Sequence, residues 1–363
     1  MRAHRFKWTA DLYEGMSHYE RIADLTVTIE SVARRRQTAE TTSGFERTTT
    51  EYRLSGDGVV GRGEDVTYET ADHDALAGTD PIDIEGEWTI DALSDRLDEI
   101  DLFHGHEPEN ETSRHYRRWA VESAALDLAL RQREESLGEV LGIDPDPVHF
   151  VVSTRLGDPP STDRVEALLA RNPELEFKLD PTPEWPEAAF ETLRETDAVR
   201  ILDLKGWYEG TDVDVEPDPE LYRDVFAAFP AAVVEDPAFT PATSALVEPQ
   251  ADRLSFDYPI DGVESLQSLP IEPGWCNIKP SRFGTLESLF ETIAYCEREG
   301  IELYGGGQFE LASGRTAIQT LAAHCYPDGP NDVAPRAYND PDAEPPYPKS
   351  PLRPSRDAVG FEF

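Results

Sequence analysis

The sequence has almost no lysine. Its 363 residues hold only five, Lys7, Lys178, Lys205, Lys279 and Lys349, and the other basic residues are arginine. Lys178, Lys205 and Lys279 fall mid-chain, in segments that read as buried strands, so they are the lysines to explain. Cysteine is scarce too. Cys276, Cys296 and Cys325 are odd in number and form no CxxC pair, which excludes a disulfide framework and a zinc site. There is no apolar run of about 18 residues and no signal-peptide pattern, so a soluble, cytoplasmic protein is expected. Positive charge is in deficit, with 33 Lys and Arg against 73 Asp and Glu and a net charge of -40. Such a chain repels nucleic acid and anionic membrane, which removes both as partners. The acids are spread along the length without a long pure-acid block. They read as a surface adapted to high salt, where counterions screen the self-repulsion, rather than as an acidic tail.

What is present suits two domains. A single barrel takes about 200–250 residues, and this chain is longer. Residues 1–20 read as an N-terminal extension. RIADLTVTIESV (21–32) alternates like a strand, 33–47 reads as a polar loop, and TTTEYRLSGDGVVGRGED (48–65) as a hairpin turning at Gly56 to Gly58. One helix is expected near 89–103. Residues 115–142 carry Trp119, Leu126, Leu130, Leu137 and Leu141 at helical spacing, with Gly138 and Gly142 suited to helix ends. Pro145 and Pro147 mark a boundary. Then the rhythm changes. Short apolar strands begin near 148, 175, 198, 231, 253, 275 and 301, about 22–32 residues apart, with a further short one at 331. That period predicts an α/β architecture: a TIM-like (β/α)7β barrel over 146–335, capped by an α+β domain over 21–145. The proline-rich residues 336–363 are expected to return over the cap or the barrel surface.

In such barrels the C-terminal strand ends form the active site. Here they carry Lys178 and Asp180, then Asp203 and Lys205, then Glu235, Asp257 and Lys279, with Glu310 just after the seventh strand. Asp203, Glu235 and Asp257 lie on three successive strands and would converge as hard oxygen ligands for magnesium, with manganese as an alternative ion. Lone acids at strand ends are often helix caps; three in sequence with a lysine on the sixth strand are better explained by a metal. Lys279 near a divalent cation suits a carbon-acid base, and the ion would stabilise the enolate formed next to a carboxylate. No histidine falls on the sixth or seventh strand. Gly305 to Gly307 read as a tight turn, or else as a backbone anion cradle. Arg155 could meet a substrate carboxylate or form a surface ion pair.

NIKPSRFGTL (277–286), VVEDP (233–237), the 117–142 helical stretch, VVGRGED (59–65) and FELASG (309–314) together resemble the enolase superfamily, nearest its muconate-lactonising and o-succinylbenzoate synthase branch. The resemblance implies that Asp203, Glu235 and Asp257 bind magnesium and that Lys279 acts as base or stabilising cation. It also implies that Glu310 lines the mouth and that loop 33–47, through Ser43 and Phe45, shapes specificity. The implied activity is proton abstraction α to a carboxylate, leading to cycloisomerisation, epimerisation or β-elimination. Dehydration of a hydroxy acid, or a non-catalytic binding descendant, stays open. The substrate would be a small carboxylate, and a homo-oligomer is compatible with this reading.

Two positions depart from the family pattern. The usual Lys-x-Lys of the second strand is Lys178-Leu179-Asp180, and the usual Asp-x-Asn of the third is Asp203-Leu204-Lys205. Period-two geometry would point Asp203 and Lys205 the same way, beside Asp180. Either Lys205 has taken over the cationic post that Asp180 vacated, or it only neutralises Asp180.

Overall fold

The computed structural model describes residues 16–208, 211, 213–355 and 357–363. Most of the expected N-terminal extension, including Lys7, lies outside the described residues. The cap opens with helix α1 (His18–Ala23), whose Ser17 and Glu20 form a reciprocal capping box. This corrects the reading of 21–32 as one strand: the cap starts a helix there, and the strand β1 (Thr26–Ile29) follows it. Strands β2 (Ser31–Glu40), β3 (Glu46–Gly56) and β4 (Val59–Asp65) form an antiparallel meander in the order β2-β3-β4. Most of the expected polar loop 33–47 is therefore strand. It reads as polar because β2 is the edge of the sheet and much of it stays wet. The β3–β4 turn has two residues, Asp57 and Gly58, both left-handed at φ 51 and 78, as a twisted hairpin prefers.

Helix α2 (Thr70–Asp74), strand β5 (Gly86–Thr89, paired with β1) and α3 (Ile90–Asp98) lead to α4 (Thr112–Arg133) and α5 (Leu137–Leu141). The single helical stretch expected over 115–142 is broken at left-handed Glu134, and Ser136 caps the second piece. Gly142 ends that piece at φ 69. Gly138, expected at a helix end, lies inside α5, where His324 leaves no room for a Cβ. The glycines of VVGRGED have the same cause. A Cβ on Gly61 would stand 2.2 Å from the Ala124 carbonyl and one on Gly63 2.0 Å from that of Ala120, so β4 lies directly on α4.

Seven parallel strands follow in consecutive order: β6 (Val151–Thr154), β7 (Glu176–Leu179), β8 (Val199–Asp203), β9 (Val233–Glu235), β10 (Leu254–Phe256), β11 (Trp275–Ile278) and β12 (Glu302–Gly305). Helices α6 (Asp163–Arg171), α7 (Glu187–Thr196), α8 (Pro219–Ala228), α9 (Ser244–Val247), α10 (Val263–Gln267), α11 (Pro280–Phe283), α12 (Leu286–Glu299) and α13 (Ser313–Cys325) lie between or after them. The short segment at 331 closes the barrel, with parallel bridges Phe150–Asn331 and Gly306–Asp332 joining first and seventh strands. The interior is layered. Val151, Ile201, Val233 and Tyr304 pack together in it, and the next inward residue toward the C-terminal end is Asp203 on β8 and Glu235 on β9. Residues 336–363 touch both parts: Leu352 pairs with Val148, and the amide of Phe361 donates to Asp127 of α4 at 2.8 Å.

The cap is locked on the barrel through buried polar groups. Glu64 accepts the backbone amides of Leu311 (2.7 Å), Ala312 (2.9 Å) and Gly314 (2.9 Å) ahead of and within the start of α13. Arg47, fully buried, donates to the Gln308 carbonyl at 3.2 Å and to the carbonyls of Val66 and Thr67. Glu64→Ala strands three buried donors, and a loss of about 3 kcal/mol is expected, read from chemical denaturation.

Candidate active site

Alternation along the strands puts the acids at the mouth. Asp203 and Glu235 end β8 and β9 in direct register, and Asp257 follows β10; all three are fully buried. Isolated buried carboxylates are prohibitively costly, so each is paired. The Lys178 ammonium donates to Glu235 Oε1 and lies 3.3 Å from Asp203 Oδ2. Lys205 donates to Asp203 Oδ2. Lys279 donates to Asp257 Oδ2 at 2.6 Å, while Arg282 Nε lies 3.2 Å from Asp257 Oδ1. Burial pushes against ionisation throughout, and the cations reverse it for two acids: Lys205 and Lys178 hold Asp203 far below the usual range, and Arg282 and Lys279 do so for Asp257. Glu235 stays well above its usual value, because burial and the neighbouring Asp203 and Asp257 outweigh Lys178. Burial would lower the ammonium of Lys178, but Glu235, Asp203 and Asp332 raise it well above normal. Asp180, Asp203 and Glu235 likewise raise Lys205.

A further acid, absent from the sequence reading, joins them. Asp203, Glu235 and Asp236 each bring one oxygen within 4.8 Å of the others, a tighter group than one including Asp257. Strand alternation would turn Asp236 outward. It returns because it adopts a left-handed φ of 49, and its two oxygens accept the amides of Asp257 (2.9 Å) and Tyr258 (3.0 Å). Asp236 thus fixes where Asp257 stands, and burial with Asp257 and Asp203 beside it pushes its carboxyl up to about 7. Below the acids, the Tyr304 hydroxyl donates to Glu235 Oε2, and Asn277 Nδ2 donates to the same oxygen at 3.1 Å.

The departures of the second and third strands meet in space. Asp180 Oδ2 lies 3.0 Å from Arg155 Nε and 4.0 Å from Lys205 Nζ. Lys205 reaches this point differently from the expected alternation: β8 ends at Asp203, and Lys205 turns in at a left-handed φ of 55 with its amide on Asp203 Oδ1.

A cavity of about 580 Å³ opens above the acids, roofed by the cap. Lys178, Asp180, Lys205, Lys279, Arg155, Ser43 and Phe45, all named from sequence, line it. Glu310 does not. It sits behind Arg315, whose Nη2 is 3.1 Å away, and accepts the Gln308 amide, so Arg315 lines the wall in its place. Sequence reading also missed Tyr208, whose hydroxyl donates to Asp257 at 3.1 Å, as well as Arg282 and Asp332. Arg282 stands inside the quoted NIKPSRFGTL, three residues after Lys279, so helical spacing offered a signal for it. Gly306 has a cause that neither sequence alternative named: a Cβ there would meet the side chain of Lys279 at 2.8 Å, so the glycine clears the path along which that lysine lies.

Six basic side chains line the cavity (Arg155, Lys178, Lys205, Lys279, Arg282 and Arg315) against the acids Glu69, Asp180 and Asp332. Mostly basic groups thus face the cavity, each paired with an acid in the wall or just behind it.

A parallel barrel with an antiparallel cap is the fold of solved enolase-superfamily structures, which match this chain. A superfamily member from Listeria innocua Clip11262 is 17% identical, over 87% of this chain and 88% of that chain, with a TM-score of 0.66. Muconate lactonizing enzyme from Pseudomonas putida is 19% identical over 92% and 96%, TM-score 0.68. A dipeptide epimerase from Methylococcus capsulatus, complexed with Mg ion, is 20% identical over 83% and 88%, TM-score 0.62. The chain itself belongs to the DUF8230 family: the C-terminal domain of unknown function matches residues 144–340 and the N-terminal domain residues 20–140. No curated protein matches it.

In divalent-free buffer, Lys178→Met leaves the buried Glu235 without the ammonium that contacts it, in a cluster of further buried acids. A loss of about 3–5 kcal/mol is expected in urea denaturation.

Proposed function

We propose that the chain is a divalent-metal-dependent lyase or isomerase, with residues 21–145 as its cap and 146–335 as its barrel. The reading has it take a proton from the carbon next to a carboxylate. The observation that carries it is the set of buried acids on three successive strands directly beneath a cavity lined by Lys178, Lys205 and Lys279. The donor set fits magnesium or manganese: it is all oxygen, with no soft ligand, and Asp257 Oδ1, although ion-paired with Arg282 at 3.2 Å, accepts no hydrogen bond. Asp203, Glu235 and Asp257 would hold the ion, with Asp236 fixing the third. When bound, the ion supplies positive charge that acidifies the carbon next to a carboxylate.

The chain's own residues supply the rest. Lys279 Nζ reaches the cavity from the sixth strand; freed from Asp257 and with its own proton given up to solvent, it takes the substrate proton. Lys178 and Lys205, held protonated by their acids, face it from the second and third strands and offset the charge that develops. Arg155 and Arg315 offer guanidinium groups to a second polar end of the substrate, and Ser43 and Phe45 close over it. Cycloisomerisation, epimerisation and β-elimination all begin with this step, dehydration of a hydroxy acid among them. The resemblance favours cycloisomerase or synthase-like chemistry. One observation favours the rival, binding without turnover: the acids hold Lys178 and Lys205 protonated, so neither offers a free base. We also read the net charge of -40 as adaptation to concentrated salt inside the cell. Among the described residues no helix is long and apolar enough to cross a membrane.

The test is deuterium exchange from heavy water into a library of small carboxylates, with magnesium in concentrated KCl. Exchange at the α-carbon, lost about 10³-fold in Lys279→Met, is expected. Absence of exchange with every acid would establish the binding protein instead.

A further inference from the structure

In this structure the oxygens that would hold the ion are already engaged by ammonium groups. Lys178 Nζ sits between Glu235 Oε1 and Asp203 Oδ2, and Lys205 Nζ binds the same Asp203 oxygen. A divalent cation on those oxygens would face two like charges within hydrogen-bond distance, and like charges so close in a dry site repel strongly. Either the lysines exclude the ion or they move.

Each lysine has somewhere to go. Asp332 Oδ2 lies 3.8 Å from Lys178 Nζ, and Asp180 Oδ2 lies 4.0 Å from Lys205 Nζ. Both carboxylates line the cavity, one on the closing segment and one on the second strand, and neither belongs to the ligand group. Both are partly wet, with side chains 17% and 13% exposed, against 0% for Asp203 and Glu235. The distances ask only for rotation at the ends of two flexible side chains. Asp180 is otherwise held by Arg155, which is half exposed and free to turn to water.

We propose that Asp180 and Asp332 are lysine acceptors: on metal binding Lys205 passes from Asp203 to Asp180, and Lys178 from Glu235 and Asp203 to Asp332. The inference rests on the reading of Asp203, Glu235 and Asp257 as metal ligands. It makes Asp180 and Asp332 positioning residues, and it joins the two departures from the family pattern into one device. Without the ion, the lysines hold the acids together. With it, the same lysines stand beside the ion and face the cavity.

The experiment is titration calorimetry of magnesium into the full chain and two double-mutant cycles, Asp180→Asn with Lys205→Met and Asp332→Asn with Lys178→Met. A variant enters only if its thermal transition is retained, and each cycle tests the exchange independently. Each aspartate variant alone should weaken magnesium binding about tenfold, the scale of outer-shell effects. Each methionine variant alone should tighten it. In the methionine background, the aspartate variant should change affinity less than about twofold, because no lysine then needs an acceptor. A simple field effect of the aspartate predicts the same weakening in both backgrounds, and that result overturns the exchange. Should wild type and Glu235→Gln alike give no binding heat, the metal reading itself fails and takes the exchange with it. Binding that Glu235→Gln abolishes, with equal aspartate effects in both backgrounds, keeps the metal and removes only the exchange.

Discussion

The site depends on how several carboxylates can be buried together. Moving one such ion out of water costs of order 20 kcal/mol in the idealised limit and several after relaxation. Asp203, Glu235, Asp236 and Asp257 are all fully buried at one end of one barrel. Their cost is offset by Lys178, Lys205, Lys279 and Arg282, and by backbone amides that Asp236 accepts. That requirement explains the lysine usage. A chain that otherwise uses arginine keeps three of its five lysines here. An ammonium is compact and can shift between acceptors, whereas a guanidinium presents a rigid planar fork. Arg282, which pairs with Asp257 alone and also donates to the Tyr258 carbonyl, is in the position where a fixed fork suffices.

The cap completes the enclosure that makes these charges matter. Glu64 and Arg47, both buried, bind backbone groups of the barrel segment 308–314. That segment carries Gln308, which accepts from Tyr68 at 2.8 Å, and Phe309, which packs edge-on against Phe45 at 5.2 Å. The locking contacts and the cavity roof therefore share one stretch of chain. A shift of the cap would move the roof and the seventh-strand loop together, so the cavity keeps its shape only while cap and barrel are docked.

Much of this was legible in the sequence because two signals coincide. Seven largely apolar strands recur at a regular spacing, and the second to sixth carry a charge at or just after their C-terminal ends. Residues that follow simple alternation, such as Asp203, Glu235 and Lys279, could be placed from those signals. Residues that escaped do so through the backbone. Asp236 enters the site on a left-handed turn, which no alternation predicts, and Lys205, though named from sequence, reaches it by a similar turn instead of the expected alternation. Asp332 arrives on the short segment expected at 331, whose single bridges gave no strand end to read as part of the site, and Gly306 answers to the side chains of Asn277 and Lys279. The edge strand β2 was misread for another reason: its exposed residues look like a loop until the partner strand is known.

The acidic surface and the basic cavity answer to different physics. At about 1 M salt the screening length is about 3 Å, so surface carboxylates barely sense one another and a net charge of -40 costs little. Screening ions are kept from Asp203, Glu235 and Asp257, whose fully buried carboxylates lie within 3.3 Å of their cations. Pairings at the barrel mouth therefore keep their strength in salt that silences the exterior. At low salt the exterior would repel an approaching anion, although the cavity wall attracts it. Concentrated salt removes the first effect and leaves most of the second. An acidic shell around a cavity faced by basic groups would thus admit an anion more readily at high salt than at low.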